Sequence, residues 1–170
     1  MRSLVPSIAI ALLAGCATPD QLGPVEGPSV PFVNSAGASV GAIQAEHRAT
    51  GTYLRIAVQG LAPGEHGLHL HTVGRCDGPD FKSAGAHWNP AAKQHGHLNP
   101  QGTHAGDLPN LTVSSNGRGA LNFLIASHAF ADADGTSLVI HAKPDDYKTD
   151  PSGNSGDRVA CAVVAAPPGG

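Results

Sequence analysis

His69 and His71 are separated by one residue within Gly67–Thr72, a segment that reads as a β-strand. Side chains at i and i+2 on a strand leave the same face, so two imidazoles there can converge on one ion. An isolated His-x-His pair is common by chance, and this one gains weight from the residues downstream of it. The next forty residues carry His87, His95, His104 and Asp107, and His141 stands at the end of a later strand. Three neutral imidazoles and one carboxylate make a sound tetrahedral set for zinc, with the carboxylate offsetting one charge of the dication. Four imidazoles around one ion suit Cu(II), which favours nitrogen ligands in tetragonal geometry. The candidates for that role are His69, His71, His141 and one loop histidine. The chain therefore holds more strong ligands than one zinc needs, and spacing alone leaves open how the loop histidines divide between two metals. Ten histidines in 170 residues, spaced rather than consecutive, point the same way.

Short strands must position these residues. Gly and Pro are abundant (22 and 14) and aromatics make up 4%, a composition suited to many turns. Ala38–His47 and Thr52–Gln59 read as a hairpin. In its second arm Leu54, Ile56 and Val58 alternate with Tyr53, Arg55, Ala57 and Gln59, the period of a half-buried strand. Leu111–Ser114 and Ala120–Ala126 flank Ser115-Asn116-Gly117-Arg118-Gly119, a strong hairpin turn because Asn and Gly tolerate positive φ. Leu138–Ala142 and Val159–Ala165 complete the set, and no segment carries a helical stripe. Seven or eight such strands imply an all-β sandwich or barrel. Two irregular segments, 73–110 and 143–157, interrupt it. A loop as long as the first is rare in a compact domain unless it is functional, so something must order it.

The N-terminus has other business. Arg2 followed by the apolar run Leu4–Leu13 reads as an export signal over residues 1–15, too short to span a bilayer as a stable helix. It ends in Leu13-Ala14-Gly15-Cys16, which looks like a bacterial lipobox. Cys16 would then be lipidated and tie the chain to a membrane outside the cytoplasm. Residues 16–35, rich in Pro and Gly, read as a flexible tether, with the folded domain over 36–170. That leaves Cys76 and Cys161, two thiols best read in an oxidising compartment as one disulfide. The formal net charge of −3 offers no basic patch for nucleic acid.

Six separated stretches carry a family resemblance. GLHLH at 67–71, AGAHWNP at 84–90, KQHG at 93–96, HAGDLPNL at 104–111, LVIHAKPDD at 138–146 and NSGDRVACAVV at 154–164 resemble, in order, the copper/zinc superoxide dismutase family. The match spans essentially all of residues 38–165. It implies an eight-stranded Greek-key barrel with two long functional loops, copper and zinc as cofactors, and superoxide as substrate. His69, His71 and His141 would bind copper alone. His87 would bridge both metals, and His95, His104 and Asp107 would complete the zinc site. KQHG selects His95 over its neighbour His97.

The resemblance implies further roles. Asp145 would link a copper ligand to a zinc ligand, Arg158 would draw in and orient the anion, and Cys76 and Cys161 match the family disulfide. Apart from the resemblance, the negative net charge requires any attraction of the anion to be local, and Lys143 or Lys148 are candidates to add to it. Outside the resemblance, Asp145 and Arg158 would read as solvated surface charges. His47, His66 and His128 have no implied role and default to exposed positions. A homodimer is one candidate assembly. Two rivals stand beside the enzyme: a copper-buffering protein without turnover, which would need neither Arg158 nor a shared His87, and a zinc-only relative, which would normally lack a histidine at 69, 71 or 141.

Overall fold

The structure, a computed structural model, describes residues 28–126 and 133–167. The expected signal, Cys16 and His128 lie outside the described residues. Nine strands form in chain order: β1 (Ser29–Asn34), β2 (Ser39–Arg48), β3 (Gly51–Gln59), β4 (Gly64–His66), β5 (Leu68–His71), β6 (Leu111–Val113), β7 (Arg118–Ile125), β8 (Thr136–His141) and β9 (Arg158–Ala165). The sheet runs β4-β6-β7-β3-β2-β1-β9-β8-β5, and every pairing is antiparallel. Its two ends, β4 and β5, are one stretch of chain parted only by Gly67, so the sheet closes on itself as a barrel. The nine strands correspond to the expected eight because Gly67 splits one of them. Its N–H donates to the Lys143 carbonyl and its carbonyl accepts the His141 N–H, both at 2.8 Å, instead of continuing the regular ladder.

Strand parity decides what lies inside. In β3 the buried Leu54, Ile56 and Val58 point into the barrel, as their alternation predicts. Leu68 and Leu70 of β5 and Leu138 and Ile140 of β8 join the same core. His69, His71 and His141 therefore leave the outer side of the wall, yet all three are buried. The cover over them comes from the two irregular segments.

The first segment is ordered along the free edge of β5. Trp88 N–H donates to the Leu70 carbonyl (2.8 Å), Leu70 N–H to Gly106 (2.9 Å), Thr72 N–H to Ala86 (2.9 Å) and Leu108 N–H to Leu68 (3.1 Å). Gly106 is required there, since a Cβ would stand 2.6 Å from the Leu70 carbonyl oxygen. Near its start, the Cys76–Cys161 disulfide ties the segment to β9 with Cα atoms 5.6 Å apart. The second segment folds around Asp146, whose carboxylate accepts from the Lys148 and Thr149 amides, the Thr149 hydroxyl and the Asn154 amide.

The folded region starts earlier than residue 36. β1 lies within the expected tether, pairing with β2 along its length and with β9 at Val33 and Asn34. Pro31 concealed this strand, because Pro within a run argues against a central position. It is tolerated because it lies where β1 pairs with β2 alone, before the bulge at Phe32/Val33. Phe32 is fully buried in the main core. Phe32→Ala is expected to lower the unfolding free energy by ~3–5 kcal/mol in urea titrations. An unchanged midpoint would return residues 29–34 to the tether.

Candidate metal centre

The ladder that lays the first segment on β5 also brings distant side chains together. His71 is paired across an isolated bridge with His87, and His69 with Asp107. The His87 ring becomes the centre of the cluster, with centroids 4.0 Å from His69, 5.0 Å from His71, 5.3 Å from His95 and 5.4 Å from His104.

Tautomers follow from what the outer nitrogens touch. His71 Nδ1 faces the Gly85 carbonyl at 2.9 Å, and His141 Nδ1 faces the Gly156 carbonyl at 3.0 Å. A carbonyl only accepts, so both rings carry their proton on Nδ1 and keep a lone pair on Nε2. His69 is the reverse: its Nε2 donates to Asp145 Oδ2 at 2.8 Å, freeing Nδ1. Among the described residues six buried side-chain N or O atoms lack a hydrogen-bond partner. Four of them are His69 Nδ1, His71 Nε2, His87 Nε2 and His141 Nε2. These same four histidines bring donor atoms within 4.8 Å of one another. Four buried lone pairs aimed at one point without a proton donor fit a cation that accepts nitrogen ligands. Burial pushes the His69 pKa down to about 3 and that of His141 to about 4, and lowers His71 and His87 too. The four rings are thus neutral and ready to ligate at neutral pH.

A second set lies on the other side of His87. Asp107 Oδ1 stands 3.0 Å from His87 Nδ1, 3.0 Å from His95 Nδ1 and 3.2 Å from His104 Nδ1, and the last is 3.3 Å from His87 Nδ1. The spacing matches the edge of a tetrahedron around a zinc ion, about 3.3 Å for metal–nitrogen bonds near 2.0 Å. The other carboxylate oxygen, Oδ2, is already saturated by the Gly96 amide (3.0 Å), the Thr103 hydroxyl (2.8 Å) and the His104 amide (3.0 Å). That leaves Oδ1 for an ion. His69 also comes within reach of His87, His95 and Asp107. Its Nδ1 belongs to the four-histidine set, however, and its Nε2 to Asp145, so His104 is the better fourth member here. His97 is outside both sets, exposed with its ring 4.3 Å from that of Tyr147.

Asp145 joins the two sets, with Oδ2 on His69 and Oδ1 2.9 Å from His95 Nε2. Its backbone is clamped by Asn110, which accepts the Asp145 N–H (2.9 Å) and donates to its carbonyl (3.0 Å). Burial opposes ionisation of both Asp107 and Asp145. Hydrogen bonds from His87 and His95 to the first, and from His69 and His95 to the second, outweigh it and hold both carboxyls well below the usual range. His95 lies between them, and the same two carboxylates overcome its own burial to raise its pKa to about 9.

A cleft of about 650 Å³ opens beside this cluster, walled by His87, His104, His141, Lys93, Asp150 and Arg158. Lys143 and Lys148, the expected additional cations, are not on its wall, whereas Lys93 is. The Asn89 side chain fixes the Lys93 backbone, accepting its N–H (3.0 Å) and donating to its carbonyl (2.7 Å).

Sequence reasoning missed several supporting residues. His66 is buried rather than exposed: its ring nitrogens stand 2.6 Å from the His141 carbonyl and 2.8 Å from that of Ala62, bracing the end of β8. Its place next to Gly67, where the strand breaks, was the only local signal. Asn110 lies in the HAGDLPNL stretch without a role implied for it, and nothing local marked Gly85 as the acceptor for His71. His47 is exposed, as expected.

The chain is similar to known proteins over most of its length. Residues 39–164 match the family described as copper/zinc superoxide dismutase. The chain is 42% identical over 142 residues to Superoxide dismutase (Cu-Zn) 1 of Aquifex aeolicus, covering 78% of this chain and 84% of that protein. It is 43% identical over 138 residues to Superoxide dismutase (Cu-Zn) of Caulobacter vibrioides, covering 75% and 79%. Its fold is similar to the crystal structure of a SOD-like protein from Bacillus subtilis, with a TM-score of 0.77 and 40% identity over 81% of this chain and 99% of that one.

A cation on His95 Nδ1 must displace the proton that His95 otherwise holds up to about pH 9. Zinc affinity of the metal-free chain is therefore expected to rise about tenfold per pH unit below that value, with proton release. Calorimetry in buffers of different ionisation enthalpy checks it, and a zinc affinity constant from pH 6 to 8 would remove His95 from the set.

Proposed function

This chain belongs to the copper/zinc superoxide dismutase family, and on that premise we propose that it disproportionates superoxide at a copper and a zinc joined through His87, outside the cytoplasm. The reaction converts two superoxide anions and two protons into oxygen and hydrogen peroxide. The observation that carries the proposal is the position of His87: its Nε2 belongs to the four partnerless nitrogens and its Nδ1 to the tetrahedral set. In this reading His69 Nδ1, His71 Nε2, His141 Nε2 and His87 Nε2 would hold copper. His87 Nδ1, His95 Nδ1, His104 Nδ1 and Asp107 Oδ1 would hold zinc. Copper supplies a one-electron couple, while zinc has no accessible redox state and supplies charge and rigidity.

The chain's own groups do the rest. His87 is among the residues lining the cleft, and its Nε2, whenever it is not on copper, could hold a proton and give it to the reduced substrate. Asp145 keeps the His69 and His95 rings in register by accepting from one nitrogen of each. Arg158 reaches the cleft from the start of β9 and binds the anion beside His87 and His141. With a net charge of −3, attraction must be local, and Lys93 joins Arg158 in providing it. A copper buffer would have no use for an arginine in that position, which favours turnover.

The cellular part of the proposal rests on Cys16 and the tether, with export to an oxidising compartment supported by the Cys76–Cys161 bond. Pairing of two copies remains part of it, to be read by light scattering.

Kinetics, spectroscopy and detergent partitioning test these claims. Protein reconstituted with both metals is expected to consume superoxide far faster than the same concentration of free copper. Arg158→Ala should lower kcat/KM roughly tenfold with copper content intact, and His87→Ala should abolish the magnetic and spectroscopic signs of a bridged pair. Parent activity no higher than that of free copper overturns the enzyme. Separately, the full chain expressed in a bacterium should enter the detergent phase on Triton X-114 separation, and Cys16→Ala should move it to the aqueous phase; equal partitioning removes the anchor.

A further inference from the structure

Arg158 is held by two backbone oxygens. Its Nη1 donates to the Phe81 carbonyl and its Nη2 to the Gly85 carbonyl, each at 2.7 Å. The Gly85 carbonyl also receives His71 Nδ1 at 2.9 Å, so the guanidinium and one imidazole of the four-histidine set are referenced to the same oxygen. Gly85 has φ +78°, and a Cβ there would stand 2.7 Å from Thr72 Oγ1, so the position that supplies this acceptor requires glycine. The other acceptor is set differently. Phe81 is fully buried, with φ +53° in the left-handed region that a bulky residue occupies only when its surroundings impose it. Its ring packs with Ala84, Val139 and Cys161, and Cys76 lies against the same small cluster, apart from the main core. Its N–H donates to the Asp77 carbonyl at 3.1 Å.

We infer that Phe81 is the positioning residue for Arg158: its ring, seated beside the disulfide, fixes the carbonyl that aims the guanidinium into the cleft. The inference rests on the reading of that cleft as the anion's entry to the metal pair. An aromatic side chain remote from the ligands thereby sets how a small anion is oriented. The ring's seat is built from β8 and β9, so the segment carrying His87 and the strand carrying Arg158 are locked together at this point.

The test uses the copper- and zinc-loaded full chain with azide as a small-anion probe, titrated by visible absorption, alongside kcat/KM for superoxide. Phe81→Gly removes the ring while relieving the backbone φ. It is expected to weaken azide binding and lower kcat/KM about tenfold, as Arg158→Ala does, with metal content and the anion-free spectrum unchanged. Phe81→Leu, which still fills the seat, should stay within about twofold. Added to Arg158→Ala, Phe81→Gly should cost nothing further, because both act through one cation. Losses that multiply in the double variant, or full azide affinity in Phe81→Gly, overturn the inference. Should Phe81→Gly fail to fold, Val139→Ala loosens the same seat and must weaken azide about twofold only while Arg158 is present; no change in that variant is equally fatal. A parent that binds azide with this coupling but does not consume superoxide would sink the enzymatic reading and leave the positioning role standing.

Discussion

Four imidazole nitrogens are buried without a hydrogen-bond partner, and the rest of the structure is organised around that constraint. A buried polar atom left unsatisfied costs about 1–3 kcal/mol, and His69, His71, His87 and His141 each present one at the same place. The chain alone does not resolve this conflict. His69, His71 and His141 each spend the other nitrogen on an acceptor supplied by a neighbouring segment, Asp145, Gly85 and Gly156. Rotating a ring to satisfy the lone pair would strand that acceptor instead. The fold therefore holds the four donor atoms together at one place.

Holding such a set requires rigidity that an irregular segment does not have by itself. The barrel supplies it from one side, because the leucines of Leu68-His69-Leu70-His71 are locked in the core beneath the imidazoles. The segment over 72–110 is then stitched to β5 by backbone hydrogen bonds and to β9 by the disulfide. A cross-link closing 85 residues removes ~4–5 kcal/mol of chain entropy from the unfolded state on a loop-closure model. The second irregular segment is tied to the first through Asp145 on His69 and His95, and through Asp150, which accepts the His95 N–H at 2.6 Å. Both covers are thus fixed to the ligands they enclose.

Charge is used locally. Asp107 and Asp145 are held ionised among the imidazoles, the first facing His87, His95 and His104 and the second linking His69 to His95. Arg158 and Lys93 face the cleft instead, where a small anion can meet them while the protein as a whole is negative. Arg158 is oriented by carbonyls rather than by a carboxylate, so none of its charge is neutralised by the groups that hold it.

Much of this was legible in the residue order. Period-two alternation placed the core of β3, His-x-His parity placed two imidazoles on one face, and the cysteine count paired Cys76 with Cys161. These are local or combinatorial properties that need no coordinates. The resemblance of six stretches added the ligand roles in outline. Tertiary structure alone decided the rest. Pro31 hid β1, because a proline's tolerance depends on which neighbour pairs with it. His66 looked exposed, because its acceptors are carbonyls brought to it by β8 and the turn before β4. His95 rather than His97 enters the cluster through contacts with Asp107 and Asp145, which lie 12 and 50 residues away. Phe81 and Gly85 act through backbone oxygens, whose direction is a property of the folded path and not of side-chain identity. What a residue type can do was written in the sequence; which partner it faces depended on long-range closure of the barrel and its covers.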